Sequence, residues 1–255
     1  MYYEITYSCM SVTGNVRKMN QDNFICNGVY LQLNQPDMNV PVGGTVTSET
    51  PTLFGVFDGM GGEECGEVAS LIAAQEAMTL MQDKNDAVSL SEYCFRANDK
   101  ICDYANSHSV SSMGTTAAMM LFGAKGITLC NIGDSKIFRF ADNGLEQISQ
   151  DHVAMAPFGR KPPLSQNLGI PPQIMVIEPY LSQGEYNDGD RFLICSDGLT
   201  DMVSNEEIQE MLQWYSTDEA VANLVGLALE NGGRDNISII AIDIKQIRSN
   251  LLDIF

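Results

Sequence analysis

Residues 53–62 read LFGVFDGMGG, and this stretch decides the fold. Residues 53–57 are apolar or aromatic apart from one glycine, which predicts a short buried strand that runs directly into Asp58. Three of the next four residues are glycines, so the backbone can turn sharply and approach whatever the carboxylate holds. A hard divalent cation favours such a carboxylate at a rigid strand end with a free carbonyl nearby. Alone, the stretch also fits an ordinary strand and turn.

Four further acids stand at strand ends beside a glycine or a turn. Asp197 follows one predicted strand, and Asp235 precedes another. Asp134 lies between two predicted strands, and Asp22 opens the second strand of the chain. One acid in this position is common, but five suggest convergence on one pole of a sheet. We therefore expect a shared metal site of hard oxygen ligands.

Composition and charge narrow the class of protein. The chain has 255 residues, of which 44% are apolar, so it is long enough for one large domain spanning 1–255. The formal net charge is -19, with 33 acids against 14 bases. This balance argues against nucleic acid or an anionic membrane as the main partner. Most of the acids are expected to keep the surface soluble rather than to bind a ligand.

Cysteine usage and the N-terminus indicate the compartment. None of the seven cysteines forms a CxxC pair, so buried reduced thiols are expected. The start, MYYEITYSCM, has no basic segment ahead of an apolar core and does not resemble a signal peptide. No apolar run approaches the roughly 18 residues that span a bilayer. We predict a soluble, cytoplasmic protein with no appended sensor or membrane segment.

The order of elements predicts an α+β fold. Two blocks of strands each precede a pair of helices, and short turns between strands suit antiparallel sheets with helices outside. Residues 34–50 are predicted to form a loop or wide hairpin, and the Pro-rich residues 157–172 an irregular surface segment. The predicted strands are 3–11, 23–33, 53–57, 115–122, 127–132, 136–140, 174–180, 191–195 and 237–244, and the predicted helices are 63–82, 86–107, 205–214 and 218–230.

Six ordered motifs carry a resemblance to a known family. They are SVTGNVRKMNQDN, FGVFDGMGG, GTTAAMM, NIGDSKIFRF, LICSDGLTDMV and GGRDNISII. Together they resemble the metal-dependent protein phosphatases of the protein phosphatase 2C family, in its bacterial, stand-alone catalytic form. The resemblance implies a four-layer αββα sandwich, with two central antiparallel sheets flanked by pairs of antiparallel helices. It also implies hydrolysis of phosphoserine and phosphothreonine in proteins.

The resemblance assigns roles to the acids, motif by motif. Asp58 would bridge two Mn²⁺ or Mg²⁺ ions, Gly59 would offer its carbonyl to one of them, and Asp197 and Asp235 would complete the other. Asp22 would hold a metal-bound water or coordinate directly. Asp58, Asp197 and Asp235 are thus the expected catalytic acids.

Two further residues follow from the same resemblance. Asp134 matches an acid that helps to bind a third, weaker ion in bacterial members, together with Asp197. Arg17 matches the arginine that grips the substrate phosphate, for which a planar bidentate donor is well suited. A metal-bridging hydroxide would attack phosphorus in line without a phosphoenzyme. The implied partners are phosphorylated proteins, including a cognate Ser/Thr kinase and its substrates, and we expect a monomer.

The chain departs from the family pattern near the site. Met60 stands where many members have a histidine that is a candidate general acid, and a thioether cannot donate a proton. Gln21 stands where a glutamate is frequent, and Lys136 where an arginine is frequent. The segment after Asp151 and His152 is short and Pro-rich, so we expect an open site with altered docking of phosphoproteins. His152 is expected to be structural.

The sequence lacks the motifs of two other classes of phosphate-cleaving enzyme. No cysteine is followed by five residues and an arginine, and no GxxxxGK[ST] motif is present, so a thiolate phosphatase loop and a P-loop are excluded. The remaining alternative is a catalytically weak, phosphoprotein-binding regulatory module on the same fold. Such a module would be expected to lose metal acids, whereas Asp58, Asp197 and Asp235 are all present. The sequence therefore favours an active enzyme.

Overall fold

Two antiparallel sheets lie at the centre of the computed structural model, which describes residues 2–60, 65–82, 90–124, 126–142, 144–156 and 161–247. With strands numbered along the chain, the six-stranded sheet has the order β10 (Gly144–Gln147), β9 (Lys136–Ala141), β12 (Arg191–Cys195), β13 (Ile237–Ile247), β1 (Tyr2–Val12) and β3 (Val42–Thr47). The five-stranded sheet has the order β11 (Tyr180–Gly184), β8 (Gly126–Ile132), β7 (Ala117–Gly123), β4 (Thr52–Phe57) and β2 (Asn23–Cys26). A short ribbon pairs β5 (Gly59–Met60) with β6 (Gly114–Thr115).

Each central strand contributes to two apolar layers. In β13, Ile240 and Ile242 point between the two sheets, whereas Ile239 and Ala241 point to the helices on the other side. Successive side chains of a strand point to opposite faces, so a strand buried on both faces is apolar throughout. This burial explains why the central strands appear in the sequence as continuous apolar runs.

The helices cover the outer faces of the sheets. Helices α1 (Gly66–Gln82) and α2 (Leu90–His108) pack on the five-stranded sheet, and α4 (Asn205–Trp214) and α5 (Thr217–Glu230) pack on the six-stranded sheet. A single turn of helix, α3 (Asp197–Thr200), follows β12. The predicted α+β, four-layer sandwich is therefore confirmed. None of the helices in these ranges combines the length and apolar character that a bilayer crossing needs.

Capping boxes fix where α4 and α5 begin. The hydroxyl of Ser204 accepts a hydrogen bond from the Glu207 backbone N–H, and the Glu207 carboxylate accepts one from the Ser204 N–H. Ser216 and Glu219 repeat the arrangement at α5. Both pairs satisfy backbone donors that a helix start leaves unpaired. The predicted start of α4 at residue 205 is confirmed.

Three predicted elements differ from the structure. The second strand ends at Cys26 rather than at residue 33, because Asn27 and Gly28 adopt φ angles of 48° and 84° and turn the chain. Residues within the predicted loop 34–50 form the edge strand β3, which pairs with β1. The strand predicted at 174–180 is wrong, because a turn in which the Ile174 N–H donates to the Pro171 carbonyl delays the strand to β11. Residues 63–64 and 86–89 of the predicted helices lie outside the described residues.

Candidate active site

Strand register brings all five predicted acids to one end of the sandwich. In the five-stranded sheet Asn23 pairs with Phe57, so Asp22 and Asp58 lie at the same end of neighbouring strands. The pairing of β7 with β8 places Asp134, two residues beyond β8, at that end as well. In the six-stranded sheet, β12 ends and β13 begins on the same side, which sets Asp197 beside Asp235. The predicted convergence on one pole is therefore seen for every acid.

The backbone of Asp58 is held from both sides. Its N–H donates to the Thr116 hydroxyl over 2.9 Å, and its carbonyl accepts from the Thr116 N–H (2.9 Å) and the Thr115 hydroxyl (3.0 Å). The next residue must be glycine, because a Cβ at Gly59 would lie 2.3 Å from the Gln21 carbonyl oxygen. The carboxylate of Asp58 therefore projects from a rigid turn.

Asp22 and Asp58 form an electrostatically unfavourable pair. Asp22 is 4% exposed, and within the described part of the chain the hydroxyls of Ser196 and Ser238 approach its carboxylate without forming a hydrogen bond of ordinary geometry. Burial raises the pKa of Asp22 to about 7, although the nearby hydroxyls of Ser196 and Ser238 oppose the shift. Burial and the charges of Asp22 and Asp197 raise the pKa of Asp58 well above its ordinary value.

Asp197 lies at the first residue of α3, against the turn that carries Asp235. A Cβ at Gly198 would lie 1.9 Å from the Asn236 carbonyl oxygen, so only glycine permits this approach. One carboxylate oxygen of Asp197 forms an ion pair with Lys161, and the other is buried without a partner. Burial raises the pKa of Asp197, and Lys161 opposes that shift.

Asp235 binds the predicted phosphate-gripping arginine. The Arg17 guanidinium donates to Asp235 over 2.7 Å, and this hydrogen bond raises the pKa of Arg17. The Arg17 loop is held by Asn236, whose amide nitrogen donates to the Thr13 and Met19 carbonyls while its amide oxygen accepts from the Gln21 N–H. Half of the Arg17 side chain is exposed, so it remains accessible from solvent.

Asp134 completes the cluster from the β8–β9 turn. The turn requires glycine at position 133, where φ is 103°. Any side chain there would put its Cβ 2.5 Å from the Thr116 methyl group. Burial and the charge of Asp197 raise the pKa of Asp134 to about 6, although Lys161 and Lys136 lower it. Lys136 itself forms an ion pair with Asp151.

One cavity of about 370 Å³ collects most of these groups. Six of the seven predicted site residues line it, namely Arg17, Asp58, Gly59, Asp134, Asp197 and Asp235. Asp22 lines an adjacent cavity of about 500 Å³ instead, and acts on Asp58 through its charge. Met60 also lines the cavity of about 370 Å³. It occupies the position for which the resemblance implies a histidine in many members of the family.

Sequence reasoning missed two residues of the site. Lys161 forms ion pairs with Asp197 and Asp201, but it lies in the Pro-rich segment, where no periodicity or motif marks it. Its place directly before two prolines, which fix the local backbone, is the signal that could have marked it. Asn236 follows Asp235 in the last of the six motifs, and nothing in the sequence indicates that its amide anchors the Arg17 loop.

The donor set suits hard divalent cations. Carboxylate and carbonyl oxygens favour Mg²⁺ or Mn²⁺, and the buried, unpartnered oxygens of Asp22 and Asp197 are available as acceptors. Across the described ranges, no three His, Cys, Asp or Glu side chains are already gathered tightly enough to hold one ion. Mg²⁺ typically uses only one or two carboxylates and keeps several waters, so the arrangement fits such ions.

Comparison with known proteins agrees with this geometry. A profile described as protein phosphatase 2C matches residues 42–227. A relative named serine/threonine protein phosphatase PstP, from Mycobacterium tuberculosis (strain CDC 1551 / Oshkosh), is 33% identical over 206 residues, which are 75% of this chain and 40% of the relative. The chain thus spans well under half of that protein. A serine/threonine phosphatase named stp from Listeria welshimeri is 27% identical over 208 residues, covering 74% of this chain and 82% of the relative.

A solved structure shows the same fold. It is the catalytic domain of the serine/threonine protein phosphatase PstP in complex with two manganese ions. The match has a TM-score of 0.75 at 30% sequence identity, and it covers 96% of this chain and all of the other.

Proposed function

The chain belongs to the protein phosphatase 2C family, and we propose that it is a metal-dependent protein serine/threonine phosphatase. The observation that carries this proposal is the charge balance of the site. Six carboxylates, those of Asp22, Asp58, Asp134, Asp197, Asp201 and Asp235, are grouped with two cations, Arg17 and Lys161, so the formal charge is about -4 when all are ionised. A phosphate ester would be repelled by this charge, but two divalent ions would cancel it and remove the repulsion.

The residues that would hold the ions follow from their positions. Asp58, the carbonyl of Gly59, Asp197 and Asp235 would hold the ions, because all four line the same cavity. Asp22 supports this group from the adjacent cavity. When bound, Mn²⁺ or Mg²⁺ supplies an acidified water near neutral pH and neutralises the charge of the phosphate.

The chain's own residues bind the phosphate and hold the carboxylates in place. Arg17 reaches into the cavity from an exposed loop, and its planar guanidinium suits two phosphate oxygens at once. The turns at Asp58 and Asp197 are fixed before substrate binds, so little reorganisation is needed. Met60 cannot donate a proton, so we propose that the departing serine or threonine oxygen takes its proton from water.

The test is Mn²⁺-dependent hydrolysis of para-nitrophenyl phosphate and of a phosphothreonine peptide. We expect turnover of both, lost in EDTA, and reduced about a thousandfold in Asp197→Asn, because metal ions stabilise the transition state by several kcal/mol. Asp99→Asn, the same change on an exposed position of α2, should keep full activity. Peptide binding without turnover would favour the regulatory module instead.

The biological setting is also a proposal. We propose that the substrates are phosphorylated proteins, including a cognate Ser/Thr kinase and its targets, and that the chain works in the cytoplasm as a monomer. The acidic balance of -19 and the names of the relatives support phosphoproteins over nucleic acid or membrane. Phosphoproteomics of a deletion strain would identify sites that gain phosphate, and light scattering would give the mass in solution.

A further inference from the structure

Lys161 lies between two carboxylates on one turn of α3. Its ammonium group forms an ion pair with Asp197 and lies 2.8 Å from the nearer oxygen of Asp201. Its charge also lowers the pKa of Asp134, which lines the same cavity. Burial alone would lower the pKa of Lys161, but the two aspartates outweigh it and keep the side chain protonated.

The backbone that carries Lys161 is anchored to the site. The Ala154 N–H donates to the Pro163 carbonyl and the Ser165 N–H donates to the His152 carbonyl, each over 2.9 Å. The His152 N–H in turn donates to the carbonyl of Gly133, directly before Asp134. This ladder holds the segment of Lys161 against the turn of Asp134, so the ammonium group is presented to the carboxylates rather than free to diffuse.

We propose that Lys161 is a tethered cation that occupies the position between Asp197 and Asp201 and there competes with a third divalent ion at Asp197. The inference rests on the proposed function, because it takes Asp197 to belong to the metal centre. It also revises the expectation that Asp134 and Asp197 share a third, weaker ion. A single positive charge of the chain's own takes that position, and it ties the Pro-rich segment to the site.

Magnitudes place the tethered group and a weakly bound ion in direct competition. A group held by a short tether competes at an effective concentration on the order of millimolar. Weak carboxylate sites bind divalent ions with dissociation constants of about 0.1 to 1 mM, so the two competitors are matched. The Lys161 side chain is 49% exposed, so its ion pairs with the aspartates are weak. Removal of the lysine should therefore change the dissociation constant of the third divalent ion by roughly tenfold.

The experiment counts Mn²⁺ ions per chain by titration with electron paramagnetic resonance, which detects free Mn²⁺ without any activity readout. The wild-type chain should bind two ions tightly and a third only weakly. Lys161→Met should bind the third ion roughly tenfold more tightly, and adding Asp201→Asn should remove that gain. Lys100→Met, which removes a lysine paired with Glu76 between α1 and α2, should leave all three affinities unchanged.

The outcomes separate the two proposals. A wild-type chain that binds no Mn²⁺ overturns the proposed function. Two tight ions, with the third affinity equal in wild type and Lys161→Met, overturn the role of Lys161 alone. Lys161→Gln, which keeps a polar side chain, provides a second variant if the methionine variant does not fold, and it should show the same gain.

Discussion

The two halves of the acid cluster differ in how their charge is balanced. Asp22 and Asp58, on the five-stranded sheet, form no ion pair with a cation in the described chain, and burial raises the pKa of both. Asp197 and Asp235, on the six-stranded sheet, are paired with Lys161 and Arg17 respectively. Both cations come from loops rather than from the sheets. The sheets and their ends thus carry the carboxylates, and the loops carry the positively charged side chains that pair with Asp197 and Asp235.

The difference suggests a division of labour. Carboxylates held close together without a cation partner are unfavourable for folding, so the buried Asp22 and the half-buried Asp58 are best explained by a ligand of high positive charge. The paired carboxylates share cations that can move with their loops, and Arg17 is placed to exchange Asp235 for a phosphate. Metal binding is therefore expected to depend most on the Asp58 half, and phosphate binding most on the loops.

The largest expected effect on activity comes from neutralising Asp58, one of the two acids that form no ion pair. Asp58→Asn should reduce Mn²⁺-dependent turnover of a phosphothreonine peptide about a thousandfold, because several kcal/mol of transition-state stabilisation is lost. The same change should raise the melting temperature in EDTA, since it removes a buried, repelled charge. Asp197→Asn should lose activity with a smaller rise, because the ion pair with Lys161 already offsets part of the burial penalty at Asp197. Equal melting shifts in the two variants would break the contrast.

The second largest effect is expected from Arg17, the loop cation that pairs with Asp235. Arg17→Met should lower kcat/KM for the phosphothreonine peptide by roughly ten- to a hundredfold, the value of a hydrogen bond to a charged group. Arg17→Lys should recover only part of the loss, because an ammonium cannot bind two phosphate oxygens in one plane. The matched control is Arg234→Met, an exposed arginine next to Asp235, which should leave kcat/KM unchanged. Equal losses in the two methionine variants would exclude a specific role for Arg17.

The smallest effect is the pH dependence of the metal-free fold. The folded-state pKa values are about 7 for Asp22 and about 6 for Asp134, above their ordinary value, so the folded chain binds more protons than the unfolded chain in this range. Stability in EDTA should therefore fall as the pH rises from about 4 to 7. Thermal melts across this range should show the decline, and Asp22→Asn should flatten it while Asp99→Asn should not. A stability that rises through the window would contradict the raised pKa values.

The positions of the acids, but not their pairing with cations, could be predicted from the sequence, because each acid is marked by its local sequence. Asp58 and Asp197 each stand between an apolar strand and a glycine, and Asp235 stands in a turn just before an apolar strand. The order of elements predicted the α+β class, and the resemblance implied the four-layer sandwich. The fold and the convergence of the acids were therefore predicted correctly. The residue roles that follow from the resemblance stay predictions until they are measured.

The parts that were missed depend on contacts distant in sequence. Lys161 reaches Asp197 across 36 positions, and Asn236 holds the Arg17 loop across more than 200. The edge strand β3 contains two glycines and is largely exposed, so its strand propensity is low, and only pairing with β1 defines it. Local pattern carries no information on such pairings.

The most direct test of the account is anomalous diffraction at the manganese edge from crystals grown with Mn²⁺. The account predicts two strong peaks in the cavity of about 370 Å³, each within about 2.5 Å of a carboxylate oxygen of Asp58, Asp197 or Asp235. Peaks confined to surface acids elsewhere, with none beside Asp58, would contradict the claim that both sheets build one metal centre.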